Sequence, residues 1–169
     1  MSTCQMKSAI RAILNLIGAN PSLHHTLRNK GYIYTAYIST LIVEALLREP
    51  SVSVVVQNPP GGPFCFPMGP SEIYSGGPSW YEISTRKGLW EMHLCCRCDG
   101  VSRMPHELDI VILRGDTADD CRVRRRRPRT DEVVFLVECK NVGAVKYSVG
   151  REFIGLCYEF PCADQRAFP

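Results

Sequence analysis

Nowhere in its 169 residues does the chain hold an apolar run approaching the ~20 residues that a membrane-spanning helix requires, so no such helix is expected. Neither sign of charge dominates: 20 Lys and Arg face 17 Asp and Glu, which argues against a wholly polybasic or acidic tail-like protein. There is no internal repeat. The N-terminal apolar stretch is interrupted by Arg11 and Asn15, and Ile10, Ile13, Leu14 and Ile17 recur at helical spacing. That pattern predicts an amphipathic helix rather than an export signal. Without export, nine cysteines read as reduced thiols, and the expected location is the cytoplasm. A chain of this length buries roughly 70% of its unfolded surface, enough for a single core.

What the sequence does contain is a series of strongly patterned segments. Residues 1–30 read as a helical segment broken at Asn20-Pro21. IYTAYISTLIVEALLR (33–48) is apolar around nearly its whole helical circumference, as in a buried helix, and Glu44 is the only charged residue between Tyr34 and Leu47. SVSVVVQ (51–57) predicts a strand, and the proline- and glycine-dense stretch 58–80 an irregular loop. LWEMHLCCRC (89–98), an Asp99-Gly100 turn and HELDIVIL (106–113) predict a hairpin. A charged linker (114–132), the strand VVFLVECK (133–140) and a helix over about 148–160 follow. Phe153, Leu156, Cys157 and Phe160 mark that helix's inner face. The apolar runs 108–113 and 133–137 predict strands covered on both sides. The order predicts one domain over 1–169, of α/β class bordering on α+β, with a central sheet flanked by helices.

Charge at the ends of the apolar runs carries the chemistry. Alternation along a strand puts Glu138 and Lys140 on one face, and Glu107 and Asp109 on one face of their own strand. If the two strands pair, Asp109, Glu138 and Lys140 converge. Two carboxylates so placed repel unless a cation lies between them. Few oxygen ligands, with room for water and phosphate, suit Mg²⁺ or Mn²⁺ rather than zinc.

An Asp within one strand followed by Glu-x-Lys on the next, here Leu108-Asp109 and Glu138-Cys139-Lys140, resembles the PD-(D/E)xK nuclease superfamily, with leucine in place of the motif's proline. GVSRMPHELDIVIL, ECKN and REFIGL are also similar to a functionally uncharacterised bacterial branch of it. The resemblance implies a restriction-endonuclease-like core with a central mixed sheet: an acidic helix residue (Glu44), a three-stranded meander, then a helix. It implies that Asp109, Glu138 and the Cys139 backbone carbonyl hold the metal, that Lys140 positions the attacking water, and that Glu44 helps place a second metal or its waters. The implied activity is metal-dependent hydrolysis of phosphodiester bonds, in DNA by expectation. Only PCADQRAFP follows Phe160, where that fold continues into a further strand, so the core reads as shortened at its C-terminus. An exposed sheet edge would then favour association, for instance as a homodimer.

Other features keep two readings. RVRRRRPR (122–129) places six arginines in eight residues, and Arg124, Arg125, Arg126 and Arg127 form a phosphate-binding comb or else a loop neutralised by its acidic flanks. His93, Cys95, Cys96 and Cys98 hint at zinc, but strand alternation divides them and packing thiols are the alternative. Glu91 and His93 share a face and are either structural or at the margin of the site; His24-His25 reads as surface. The same fold without turnover, as a nucleic-acid-binding or protein-interaction module, is the second functional expectation.

Overall fold

A computed structural model of the protein describes residues 3–16, 30–59, 62, 64–67, 69–140 and 147–161. Two helices lead, α1 (Thr3–Leu16) and α2 (Lys30–Leu46), followed by strands β1 (Ser53–Gln57), β2 (Trp80–Thr85), β3 (Gly88–Asp99) and β4 (Pro105–Arg114). Helix α3 (Gly115–Arg124), a 3₁₀ turn (Thr130–Glu132), β5 (Val133–Val137) and α4 (Tyr147–Glu159) complete the order.

The five strands pair in chain order, β1-β2-β3-β4-β5, and every pair is antiparallel. The sheet is therefore not the mixed one expected, and the class is α+β. Short turns explain this: Thr85 pairs with Gly88 across two residues and Asp99 with Pro105 across five, whereas a parallel neighbour needs a crossover of about a dozen residues or more. The longer link through α3 also returns antiparallel, setting Ile110 opposite Val137.

The sheet is covered on both faces. Met6, Ile10 and Leu14 of α1 and Ile33, Ala36, Val43 and Leu46 of α2 pack with Ile83, Trp90, Met92, Leu94, Ile110 and Ile112. On the other face Cys96, Cys98, Leu108, Val111 and Leu113 pack with Ala118, Val133 and Phe160. Leu94 and Cys96, two residues apart, thus belong to opposite faces, as do Leu108 and Ile110. Strict alternation forbids that. Cys95 resolves it with a left-handed backbone, φ 49°, which turns the strand's phase at the level of Asp109. A kink thus crosses both central strands beside that carboxylate.

Some expected features differ. β5 ends at Val137, so Glu138 to Lys140 lie just past it, and β5 is only half-covered, with Phe135 at 40% exposure, because it is the last strand of the described sheet. The linker contains α3, and β2 begins where the loop 58–80 ends. Of the residues expected on the inner face of α4, Leu156 is half-buried, Phe153 and Cys157 are exposed, and Phe160 just beyond the helix is buried. The break at Asn20-Pro21, His24-His25 and nearly all of the C-terminal PCADQRAFP lie outside the described residues.

Candidate active site

Asp109 sits at the kink, where β4 faces the end of β5. Its Oδ2 accepts the backbone N–H of Cys139 at 2.6 Å, and its Oδ1 lies 3.4 Å from the Thr35 hydroxyl of α2. The N–H it takes belongs to the residue between Glu138 and Lys140, so the bond fastens the Glu-x-Lys segment to β4 after the ladder stops. Lys140 Nζ meets Glu138 Oε1 at 2.7 Å and Glu152 Oε2 of α4 at 3.6 Å. Asp109, Glu138 and Lys140 are thus brought together by the Asp109–Cys139 bond, past the end of β5, and not by alternation along a strand that reaches residue 140.

The electrostatics are those of crowded carboxylates. Burial pushes the Glu138 carboxyl up, Lys140 pulls it down, and the charge of Asp109 pushes it up again, for a net rise. Glu107 is likewise raised by burial and by the charges of Asp109 and Glu138. Lys140 is held above its ordinary value, first by its bond to Glu138, and is therefore an ammonium donor at neutral pH. Burial and the neighbouring Asp109 push the Cys139 thiol up to about 12, so it is not a nucleophile. Beside these groups runs a groove of about 450 Å³, lined by His106, Glu107, Glu138, Lys140, Glu152 and Phe153.

The donor set suits a hard cation in kind: carboxylate oxygens on adjacent chain segments, with Glu138 raised by burial and by the charge of Asp109. Among the described residues, no group of three or more His, Cys, Asp and Glu is already arranged around a metal-sized point. Mg²⁺ commonly takes one or two carboxylates and keeps waters, so two donors are a sufficient protein contribution.

Glu44 is not part of this constellation. It is 42% exposed and pairs with Arg48 at 2.8 Å one turn on. Thr35 is the α2 residue that reaches Asp109, and nine further residues at 1.5 Å each put Glu44 roughly 13 Å along the axis. Thr35, Glu107 and Glu152 are the neighbours that sequence reasoning did not assign. Thr35 carries no charge, and Glu152 comes close only through the docking of α4. Glu107 alone had a signal, its shared strand face with Asp109.

The arginine comb is folded inward. Helix α3 ends with Arg125 left-handed, φ 52°, while Arg125 N–H bonds the Arg122 carbonyl and Arg126 N–H the Cys121 carbonyl. This turn usually has glycine at its left-handed position, and here it fans the guanidiniums apart. Arg124 pairs with Asp120 at 2.6 Å; Arg126 grips Asp120 and both oxygens of Glu132 at 2.6–2.7 Å; Arg127 binds Glu72 at 3.0 Å. Arg125 alone of the four has no acidic partner among the described residues and lies 5.7 Å over the Tyr74 ring. A comb so paired is a clamp between α3, the 3₁₀ turn and the loop before β2, not a row of free phosphate ligands.

Glu91 and His93 lie on the sheet face opposite α2 in a buried polar knot. Arg122 grips both Glu91 oxygens at 2.6 and 2.7 Å, and His93 Nε2 lies 2.9 Å from Glu91 while its ring stacks on Trp80. Although burial pushes it up, Arg122 and His93 hold the Glu91 carboxyl below its ordinary range; burial lowers His93. Nothing in this knot borders the groove. Cys96 and Cys98 pack together near Cys121, whereas Cys95 faces Glu107 and Asp109, so the histidine and cysteines of β3 are divided among three environments.

Comparison with protein-family models, with curated proteins and with solved structures gives no match for this chain.

Proposed function

We propose that the protein is a metal-dependent phosphodiesterase acting on nucleic acid, DNA by preference, with Asp109, Glu138 and Lys140 at its centre and Mg²⁺ or Mn²⁺ as cofactor. The observation that carries this reading is the ion-paired Glu138 and Lys140 on the wall of a groove, with the carboxylate of Asp109 near enough for its charge to act on Glu138. It accords with the resemblance to the PD-(D/E)xK nucleases. Asp109 and Glu138 would hold the ion. When bound, such an ion polarises the phosphoryl oxygen and makes a coordinated water acidic.

The chain's own groups supply the rest. Lys140, an ammonium because Glu138 and Glu152 hold it so, donates hydrogen bonds to a phosphate oxygen or the attacking water and does not act as a base. Thr35 and the Cys139 N–H fix the orientation of Asp109. Glu44 and the arginines 124–127 have no part in this reading. The exposed Phe153, Ile154 and Tyr158 of α4 form the surface on which self-association would occur, in the cytoplasm.

A second reading, a nucleic-acid-binding module without turnover, has one observation in its favour: an Asp109 oxygen is already satisfied by the Cys139 N–H. Two measurements separate the readings. Plasmid and single-stranded DNA incubated with Mg²⁺ or EDTA are expected to be cut only with the metal. Mg²⁺ or Mn²⁺ is expected to raise the melting temperature at neutral pH, by about 2.7 kcal/mol of stabilisation at a hundred times the dissociation constant. DNA binding with neither effect selects the second reading.

A further inference from the structure

Lys140 stands on one side of the site's carboxylates, and the opposite side is closed by β3, the first turn of α2 and the loop before β2. That loop is strapped to the kink: Ser71 N–H bonds the Cys95 carbonyl at 2.7 Å, and Arg97 N–H bonds the Ser71 carbonyl at 2.9 Å. The Ser71 hydroxyl donates to the Leu94 and Cys95 carbonyls at 3.2 and 3.1 Å. Two side chains able to donate to an anion, Tyr32 and Arg97, stand on this wall.

Tyr32 precedes Thr35 by three residues, so both project from one face of α2. Tyr32, Thr35 and Cys95 close around one small gap between α2 and β3, and Thr35 and Cys95 are themselves neighbours of Asp109. The strap passes close by, since a Cβ on Gly69 would stand 3.7 Å from the Tyr32 hydroxyl. Burial first, and then Glu107, Cys95 and Asp109, hold the phenol above its ordinary value, so at neutral pH it is an uncharged O–H donor. Neither carboxylate takes that hydrogen. Asp109 is met by Cys139 N–H and Thr35, and the half-buried Tyr32 hydroxyl has no hydrogen-bond partner among the described residues.

Arg97 pairs with Glu107 across the β3–β4 ladder, so the two side chains share a face. Glu107, raised by burial and by Asp109 and Glu138, is pulled back by the charge of Arg97. The Arg97 side chain is 43% exposed, and its acidic partner Glu72 lies 3.4 Å away. Arg127 Nε already reaches both Glu72 oxygens at 3.0 Å. Arg97 can therefore turn to another anion without stranding a carboxylate, and an exposed pair of this length is worth little. β3 lies two strand spacings, roughly 10 Å, from the Glu138 segment, so Lys140 and Arg97 face each other across Glu107.

We propose that Tyr32 and Arg97 hold the substrate from the side opposite Lys140: the Tyr32 hydroxyl donates to a non-bridging oxygen of the scissile phosphate, and Arg97 binds the next phosphate along the strand. The inference rests on the nuclease reading of Asp109, Glu138 and Lys140. Cleavage kinetics of a labelled single-stranded oligonucleotide with Mg²⁺, and its fluorescence anisotropy with Ca²⁺ and varied salt, test it on the full chain. Tyr32→Phe is expected to lower kcat about ten- to a hundredfold with KM unchanged, the mark of a donor used in the transition state. Its melting temperature should not move, because the ring is kept and the lost hydroxyl bonds nothing. Arg97→Gln is expected to weaken binding about five- to tenfold and to lower the salt slope by about one, while Arg97→Lys keeps the slope. Wild-type kcat in Tyr32→Phe, or a melting temperature that falls along with activity, strikes Tyr32 from the contact, and a wild-type slope in Arg97→Gln strikes Arg97. Both results together overturn the inference and leave the catalytic reading standing. A protein that binds without cutting, with the slope lowered in Arg97→Gln, upholds the Arg97 contact and removes the catalytic reading together with the role of Tyr32. A wild-type protein that binds no oligonucleotide removes all of it.

Discussion

Glu138→Gln is expected to lower Mg²⁺-dependent cleavage roughly a thousandfold, the several kcal/mol that a correctly held ion contributes to the transition state. The same change is expected to leave the melting temperature at pH 7 unchanged or higher. Glu138 and Glu107 both have raised carboxyl values, so the folded state holds protons more tightly than the unfolded chain. Stability from these two groups therefore grows as pH falls from the raised values towards 4.5, and their charge is a cost above them. The amide keeps the shape and removes that cost, and Glu152, 3.6 Å away, still holds Lys140. Lys140→Met should reduce cleavage similarly yet preserve the stabilisation by Mg²⁺, because it removes a donor and not a ligand. Cleavage by Glu138→Gln at the wild-type rate, or a fall of many degrees in its melting temperature, makes this carboxylate a structural group.

Arg122→Ala should be the most damaging single change to the fold, at about 3 kcal/mol or more, because it strands a carboxylate that is only 3% exposed. Urea unfolding monitored by tryptophan fluorescence measures the loss. Replacing Glu91 and Arg122 together by methionine should recover most of it, since two apolar side chains leave no unpaired charge. The pH dependence follows from two lowered groups. His93, buried neutral, titrates below 6.5, so the unfolded chain takes up its proton first and stability declines as pH drops under that value. Glu91 contributes stability above 4.5 that is lost as pH falls through its lower folded value. Both losses run towards acid, and wild-type protein should unfold there in a steepening limb. Equal stability of wild type and Arg122→Ala at pH 7 would show that the knot holds nothing together.

How far the sequence could be read depended on range. The hairpin of β3 and β4 and the buried α2 follow from local periodicity, and the meeting of Asp109 with Glu138 and Lys140 from charge placed against apolar runs. The kink does not, because Cys95 adopts its left-handed backbone without being glycine or asparagine, and no composition marks it. Helix α3 was hidden for a related reason: GDTADDCRVR is polar, and its fold comes from burying Ala118 and Cys121 and from clamps to distant acids. Asp120 and Glu132 were visible beside the arginines as a neutralising flank. Glu72 and Glu91, 55 and 31 residues from their arginine partners, were not. Glu44 misled because isolation in an apolar helix looks alike whether the carboxylate points to a site or to solvent.

The two walls of the groove differ in how firmly they are built. β4 is clasped on both sides by other strands, whereas α4 buries no residue along its length and is fastened mainly at its C-terminal end, where Glu159 bonds the 101–102 turn and Phe160 is buried. Amide hydrogens of α4 should accordingly exchange much faster than those of β3 and β4, by local opening rather than global unfolding. Such opening would part Lys140 from Glu152 while leaving Asp109 in place, so access to the groove would be decided by a helix hinged at one end.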